Sequence, residues 1–204
     1  VDISSAIDAA KDNLDGREYV HFVQASIYEL PFRDGTFDLA YCIGVIQHTP
    51  DPEKSIRSVA VMAKPDGKVA FTIYGREHWY TKLFSKYWLR PVTKRMKKET
   101  LLKLIQFVMP VAFAITDVLF RIPVLGRVFI FAIPVANYVN EKQLSREQRY
   151  KWAVLDTFDM LSPQYDQPMT EAEVSKALAD AGVGDIRRPN TFLNLVGVRR
   201  SQNS

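Results

Sequence analysis

A chain of 204 residues with 47% hydrophobic and 25% charged residues has the composition of an ordinary globular protein, long enough for one α/β-sized core and an insertion. Its single cysteine, Cys42, excludes an internal disulfide, and three widely separated histidines, His21, His48 and His78, lack the spacing of a zinc site. The net charge of +4 is mild but locally concentrated: Arg76, Lys82, Lys86, Arg90, Lys94, Arg95, Lys97, Lys98 and Lys103 face only Glu77 and Glu99, which points to an anionic surface or substrate.

Residues 1–3 read as the end of a strand. Ser4 or Ser5 then caps a helix running to about Leu14, with Ile7, Ala10 and Leu14 on one face. Residues 19–25, YVHFVQA, alternate and are rich in β-formers, so they predict a strand. A polar turn at Arg33, Asp34 and Gly35 leads into an apolar strand over 37–43, which stops at a loop ending in His48 and Thr49. Open α/β sheets hold ligands at such carboxyl ends of strands. Asp51 as cap and Pro52 at the first helical position start a helix striped by Ile56, Val59, Ala60 and Ala63. Pro65-Asp66-Gly67 predicts a turn, and 68–74 another strand. Strands alternating with helices argue for a largely parallel sheet covered on both faces.

Residues 76–152 break this rhythm. Their first part is basic and aromatic, with His78, Trp79, Tyr80, Phe84, Tyr87 and Trp88, and residues 101–139 are strongly apolar with prolines at 110, 123 and 134. The longest charge-free runs, 104–116 and 128–140, fall short of the roughly 18–20 residues of a membrane span and predict short helices broken at proline. A polar helix follows from Glu141 to about Phe158. Thr170 and Glu173 then form a capping box on a helix that ends at Gly182. Residues 183–188 and 192–199, separated only by Pro189, Asn190 and Thr191, predict an antiparallel hairpin at the sheet edge.

Four segments taken together, VDISSAIDAA at 1–10, LPFRDGTFDLAYCIGVIQHTPDP at 30–52, AKPDGKVAFTIYG at 63–75 and the closing helix and hairpin, resemble the class I S-adenosylmethionine-dependent methyltransferases of the small-molecule, quinone-biosynthesis type. The resemblance implies a Rossmann-like α/β core over 1–75 and 153–204, a terminal antiparallel hairpin, and a helical insertion or lid over 76–152. It implies S-adenosylmethionine as the cofactor. Asp2 would accept hydrogen bonds from both ribose hydroxyls, for which a carboxylate is suited. As an acid ahead of a helix, Asp2 also fits a plain capping role. Ile3 would pack on the adenine, and Ser26 and Ile27 would meet the adenine edge, Ser26 standing where the family commonly carries an acid. The Ile43 backbone would meet the methionine part. His48 matches the family's loop histidine, with either a structural hydrogen bond or the work of a base, since histidine titrates near neutrality.

The family's glycine-rich loop and the first strand that precedes it have no counterpart here. The chain opens at Val1 and not at methionine, so it reads as an incomplete domain lacking that first strand. The polar start shows no basic region followed by an apolar run, which fits a cytoplasmic setting. The basic, aromatic and apolar insertion fits a lid that admits a small or lipid-linked hydrophobic acceptor and rests peripherally on an anionic membrane surface through 76–139, or helices that merely pack on one another. No nucleic-acid module accompanies the basic run. A nicotinamide-dependent oxidoreductase is the rival enzyme, because an acid after a second strand also fits a ribose, although the hairpin and the LPFRDGTFD run speak against it. A non-catalytic, membrane-associated scaffold is the rival outside enzymes.

Overall fold

The computed structural model describes every residue except Asp15, residues 77–82, Thr191 and residues 202–204, and divides into two compact units, Val1–Arg76 with Tyr165–Ser204, and Glu77–Gln164. The second unit closes at Gln164 and not at 152, because the polar helix expected after Glu141 lies wholly within it.

The first unit contains helix α1 (Ala6–Asn13), strand β1 (Phe37–Ile43), a single 3₁₀ turn (Ile46–His48), α2 (Pro52–Ala60), β2 (Ala63–Thr72), and, after the insertion, α7 (Glu171–Asp180), β3 (Val183–Arg187) and β4 (Asn194–Arg199). The strands lie in the order β1-β2-β4-β3, with β1 parallel to β2 and the other neighbours antiparallel. The sheet is therefore mixed, where a largely parallel one was expected. Local chemistry explains its helices. Asp51 accepts from the Lys54 N–H at 2.9 Å ahead of Pro52, and Thr170 and Glu173 close a reciprocal capping box before α7.

Alternation along the strands builds one core. Ala40 and Cys42 of β1 register with Val69 and Phe71 of β2, and these with Gly197 and Leu195 of β4, so all six share a face. Against that face α2 and α7 set Ile56, Val59, Ala60, Val174, Ala177 and Leu178, all buried. The opposite face of β1 stays open, with Leu39, Tyr41 and Ile43 at least half exposed. Burial of the sheet on both faces is thus not what these residues make.

Three further expectations change. Residues 19–25 form no strand: only an isolated parallel bridge between Asp2 and Gln24 is made, because a strand needs a neighbour and the sole ladder bonds on offer are Asp2 N–H to the Val23 carbonyl and Ala25 N–H to the Asp2 carbonyl. The turn at 65–67 sits inside β2 as an irregularity where the register jumps from Phe37–Ala63 to Leu39–Lys68, with Asp66 at φ 63°. At the far edge, β3 and β4 pair as predicted but are joined by a longer connection, residues 188–193.

The second unit is helical: α3 (Ser85–Thr93), α4 (Lys98–Leu119), α5 (Leu125–Ala132) and α6 (Arg146–Leu161). Proline does not break α4, which runs 22 residues through Pro110. Pro110 and Gln106, whose carbonyl loses its partner, are both exposed, so that carbonyl is not stranded in a core. Pro123 and Pro134 do fall between helices. In consequence one helix is long and apolar enough by length and composition to cross a membrane, contrary to the reading from charge-free runs. Leu101, Ile105, Met109 and Phe113 of α4 pack with Ala153, Val154 and Leu161 of α6. Buried Arg149 of α6 donates to Asp117 of α4 at 2.7 Å and to Asn137 at 3.2 Å, and lies 5.5 Å from the Phe113 ring.

Part of the basic run is structural. Arg76 pairs with Glu173 at 2.6 Å, and buried Arg90 donates to the carbonyls of Met160 and Pro163 at 2.9 Å each. Lys98 donates to the Ser162 carbonyl. Lys82, Glu77, His78, Trp79 and Tyr80 lie outside the described residues.

Candidate functional site

The Asp2–Gln24 bridge sets the first two elements of the site together. Asp2 and Ile3 lie alongside the stretch that leads directly to Ser26 and Ile27, and the Gln24 side chain donates to the Ile3 carbonyl at 3.1 Å. Tyr28 carries this stretch to the loop after β1: its hydroxyl donates to the Asp51 carbonyl at 3.1 Å and accepts from the Asp51 N–H at 2.8 Å. One phenol therefore ties the Ser26–Ile27 turn to the loop that holds His48. Ile43 ends β1 and is 64% exposed.

Asp2 is exposed and held ionised. The Ser4 hydroxyl (2.6 Å) and N–H (2.7 Å) both donate to its Oδ1 and keep the carboxyl below the usual carboxylate range. The capping reading is not realised, since α1 has Ser5 at its N-cap with no side-chain cap and Asp2 bonds only to Ser4 ahead of it, while Oδ2 makes no hydrogen bond among the described residues. Ser26 accepts from the Tyr28 N–H through its Oγ at 3.2 Å and so shapes the turn, whereas the Ile27 N–H makes no hydrogen bond among the described residues. Beyond Ile43, Gly44 adopts φ 69°, a left-handed conformation suited to glycine, and no atom stands within 4 Å of where a Cβ would point.

The donor and acceptor set fits a nucleoside cofactor. Asp2 Oδ2 and the Ile27 N–H, neither hydrogen-bonded among the described residues, lie on two segments joined by the Asp2–Gln24 bridge; Ile3 is exposed beside Asp2, the Ile27 side chain packs partly on the core, and a glycine with open space follows the strand end. Asp2 and Ile27 would hold the ribose and the adenine edge, and the backbone at Ile43–Gly44 would face the remainder.

His48 is oriented by a contact that sequence does not reveal. Its Nδ1 lies 3.1 Å from the Tyr165 carbonyl, which can only accept, so Nδ1 carries the proton and Nε2 keeps its lone pair in the neutral ring. Nε2 is buried without a hydrogen-bond partner, and the Tyr74 ring stands perpendicular to the imidazole with centroids 5.4 Å apart. The loop is braced from beneath by Gln47, fully buried, which donates to the Gly44 carbonyl at 2.7 Å. Gln167 donates through its side chain to the carbonyls of Thr49 and Pro50, at 2.9 and 3.1 Å. Sequence reasoning missed buried Gln47 and exposed Gln167, because each acts through contacts with residues distant in sequence or with loop carbonyls that no local pattern marks. Cys42 is no nucleophile: burial pushes its thiol up to about 11. No group of three or more metal-ligating side chains occurs among the described residues.

Residues 1–71 match the family model described as a methyltransferase domain. A ubiquinone biosynthesis O-methyltransferase of Coxiella burnetii is 33% identical over 78 residues, covering 37% of this chain and 33% of that protein. Phosphoethanolamine N-methyltransferase 2 of Caenorhabditis elegans is 33% identical over 81 residues, 37% of this chain and 18% of that protein. The chain thus spans a third or less of these curated relatives. Among solved structures, an O-methyltransferase family protein from Burkholderia thailandensis superposes with a TM-score of 0.50 at 14% identity, covering 99% of this chain and 43% of that one. That likeness speaks to the fold, a Rossmann-like α/β sheet.

Proposed function

We propose that the protein is a class I S-adenosylmethionine-dependent methyltransferase that transfers a methyl group to a small or lipid-linked hydrophobic acceptor, a reading supported by the match of residues 1–71 to the methyltransferase-domain model and by the methyltransferase relatives. The observation that supports this reading is a pair of polar groups without hydrogen bonds among the described residues, Asp2 Oδ2 and the Ile27 N–H, on two segments joined by the Asp2–Gln24 bridge. A nucleoside presents the matching groups: vicinal hydroxyls to donate and a ring nitrogen to accept.

S-adenosylmethionine supplies an activated methyl group, and the protein's part is to bind and orient the reactants. Asp2 takes the ribose hydroxyls, Ile27 the adenine edge, and Ile3 the adenine face. Ser26 holds the turn that aims the Ile27 N–H. The β1 terminus at Ile43, with Gly44 beside it, leaves room for the methionine part to approach the backbone. His48, its Nδ1 on the Tyr165 carbonyl and its Nε2 buried beside Tyr74, positions the loop after β1 rather than meeting the acceptor. The hydrophobic nature of the acceptor is supported by the relative that acts in ubiquinone biosynthesis and by the apolar insertion.

Calorimetric titration of S-adenosylhomocysteine into the purified protein tests the cofactor assignment. Binding is expected, weakened about tenfold or more in Asp2→Ala, the loss of one charge-assisted bidentate contact. No binding, binding of NADH in its place, or equal affinity in the variant would overturn it. His48→Gln tests the loop's positioning: loss of the Tyr165 contact should lower the melting temperature, and a parent-like melt would contradict the positioning role.

A further inference from the structure

The second unit presents an apolar surface where a helix of a soluble protein normally carries charge. The side of α4 opposite α6 bears Leu104, Phe107, Val111, Ile115 and Val118, which recur three and four residues apart and so form one stripe. Phe107 is 83% exposed, and Val111 and Val118 are 65% exposed each. Between Lys103 and the end of α4 the only charge is Asp117, which pairs with Arg149 and Arg121. A helix that is apolar all round belongs either in a core or in lipid, and an 18-residue window of α4 with mean hydropathy 1.7 is only 28% buried. Leu125, Val128 and Ile130 of α5 are exposed as well.

Two features decide how lipid would meet this helix. The stripe facing α6 is already taken, and α6 presents Glu147, Lys151 and Asp159 to solvent, charges that hydrocarbon rejects. Against a bilayer α4 would therefore lie along the surface and not cross it. The ends of the stripe are basic: Arg95 and Lys97 are exposed just before α4, Lys103 stands one turn ahead of Phe107 on the same side, and Arg121 and Arg127 follow its C-terminus. Anionic headgroups are the complement of that arrangement.

We propose that the second unit docks on an anionic lipid bilayer through the outer side of α4, with Phe107, Val111 and Val118 entering the acyl boundary, Arg95, Lys97 and Lys103 meeting lipid phosphates, and α6 facing water. The inference is independent of the methyl-transfer reading and is tested without cofactor. The purified protein is floated with phosphatidylcholine vesicles, with and without phosphatidylglycerol, at low and high salt. It should float with the anionic vesicles and lose binding about tenfold or more in phosphatidylcholine alone or at high salt. Phe107→Asp with Val111→Asp should abolish flotation, and Arg95→Glu with Lys97→Glu should weaken it at low salt only. All four residues are exposed, so circular dichroism and melting should match the parent and separate lost binding from lost fold. Failure of the parent to float, flotation indifferent to lipid charge, or unchanged flotation in the Phe107 and Val111 variant would overturn the proposal. So would sedimentation showing a dimer that the same variant dissolves, since a second copy would then cover the face.

Discussion

Replacing Asp117 by alanine should destabilise the helical unit more than any surface ion pair would. Arg149 is 8% exposed at its side chain and Asp117 23%, so the guanidinium cannot turn to water when its partner goes. Breaking a buried pair from one side costs roughly 3–5 kcal/mol. Here the Asn137 oxygen at 3.2 Å and the Phe113 ring at 5.5 Å remain to hold the cation, and Asp117 is partly hydrated, which brings the expectation to about 2–3 kcal/mol. Urea unfolding followed by circular dichroism should show that loss, and the melting temperature should fall by roughly 5–10 °C. Adding Arg149→Met to Asp117→Ala should recover most of it, because the stranded charge and not the lost bond is the main cost. The same pair gives a pH dependence. The Arg149 hydrogen bond holds the Asp117 carboxyl below its ordinary value, so its contribution is complete above about pH 4 and is lost as pH falls through the lowered folded value. A single variant within about 0.5 kcal/mol of the parent, or a double variant no better than the single, would refute the reasoning.

Two other positions test the sheet unit. Gly67→Ala should cost roughly 1–3 kcal/mol in the same urea assay, because a Cβ there would lie 2.8 Å from the Lys64 carbonyl oxygen and 3.2 Å from that of Asp38, backbone atoms that cannot swing away. Alkylation of Cys42 by iodoacetamide in the folded protein should be slow at pH 8 and rise steeply only towards pH 11, and a plateau near pH 9 would contradict the buried thiol.

The parts of the fold legible in sequence are those whose cause is local. The strand at Phe37–Ile43, the Asp51-Pro52 helix start and the Thr170–Glu173 box were all readable because the residues that make them lie within a few positions of one another. Residues 19–25 misled for the opposite reason: alternation describes a strand's faces, but a strand exists only through its neighbour, and here Asp2 alone supplies one. Pro110 misled because its cost depends on whether the orphaned carbonyl is buried, which composition does not state. The candidate site residues Asp2, Ile3, Ser26, Ile27, Ile43 and His48 come from the resemblance. The proton position on His48 does not, since it depends on a carbonyl 117 residues away.

The insertion leaves the sheet unit at Arg76 and returns at Tyr165, and both ends are clasped within that unit. Gly75 bridges Met169, the Arg76 N–H donates to the Met169 carbonyl at 2.8 Å, the Met169 N–H donates to the Tyr74 carbonyl at 3.0 Å, and Arg76 closes on Glu173. Such a clasp works as a socket. The length and sequence of what is plugged into it could change widely during evolution with little strain on the strands below, because the entropic cost of a longer excursion between fixed ends grows only slowly. The socket is not indifferent to its plug, however. The carbonyl that holds His48 belongs to Tyr165, the first residue after the return, so a graft that pulled this residue aside would free the imidazole even if every residue of the sheet were left untouched.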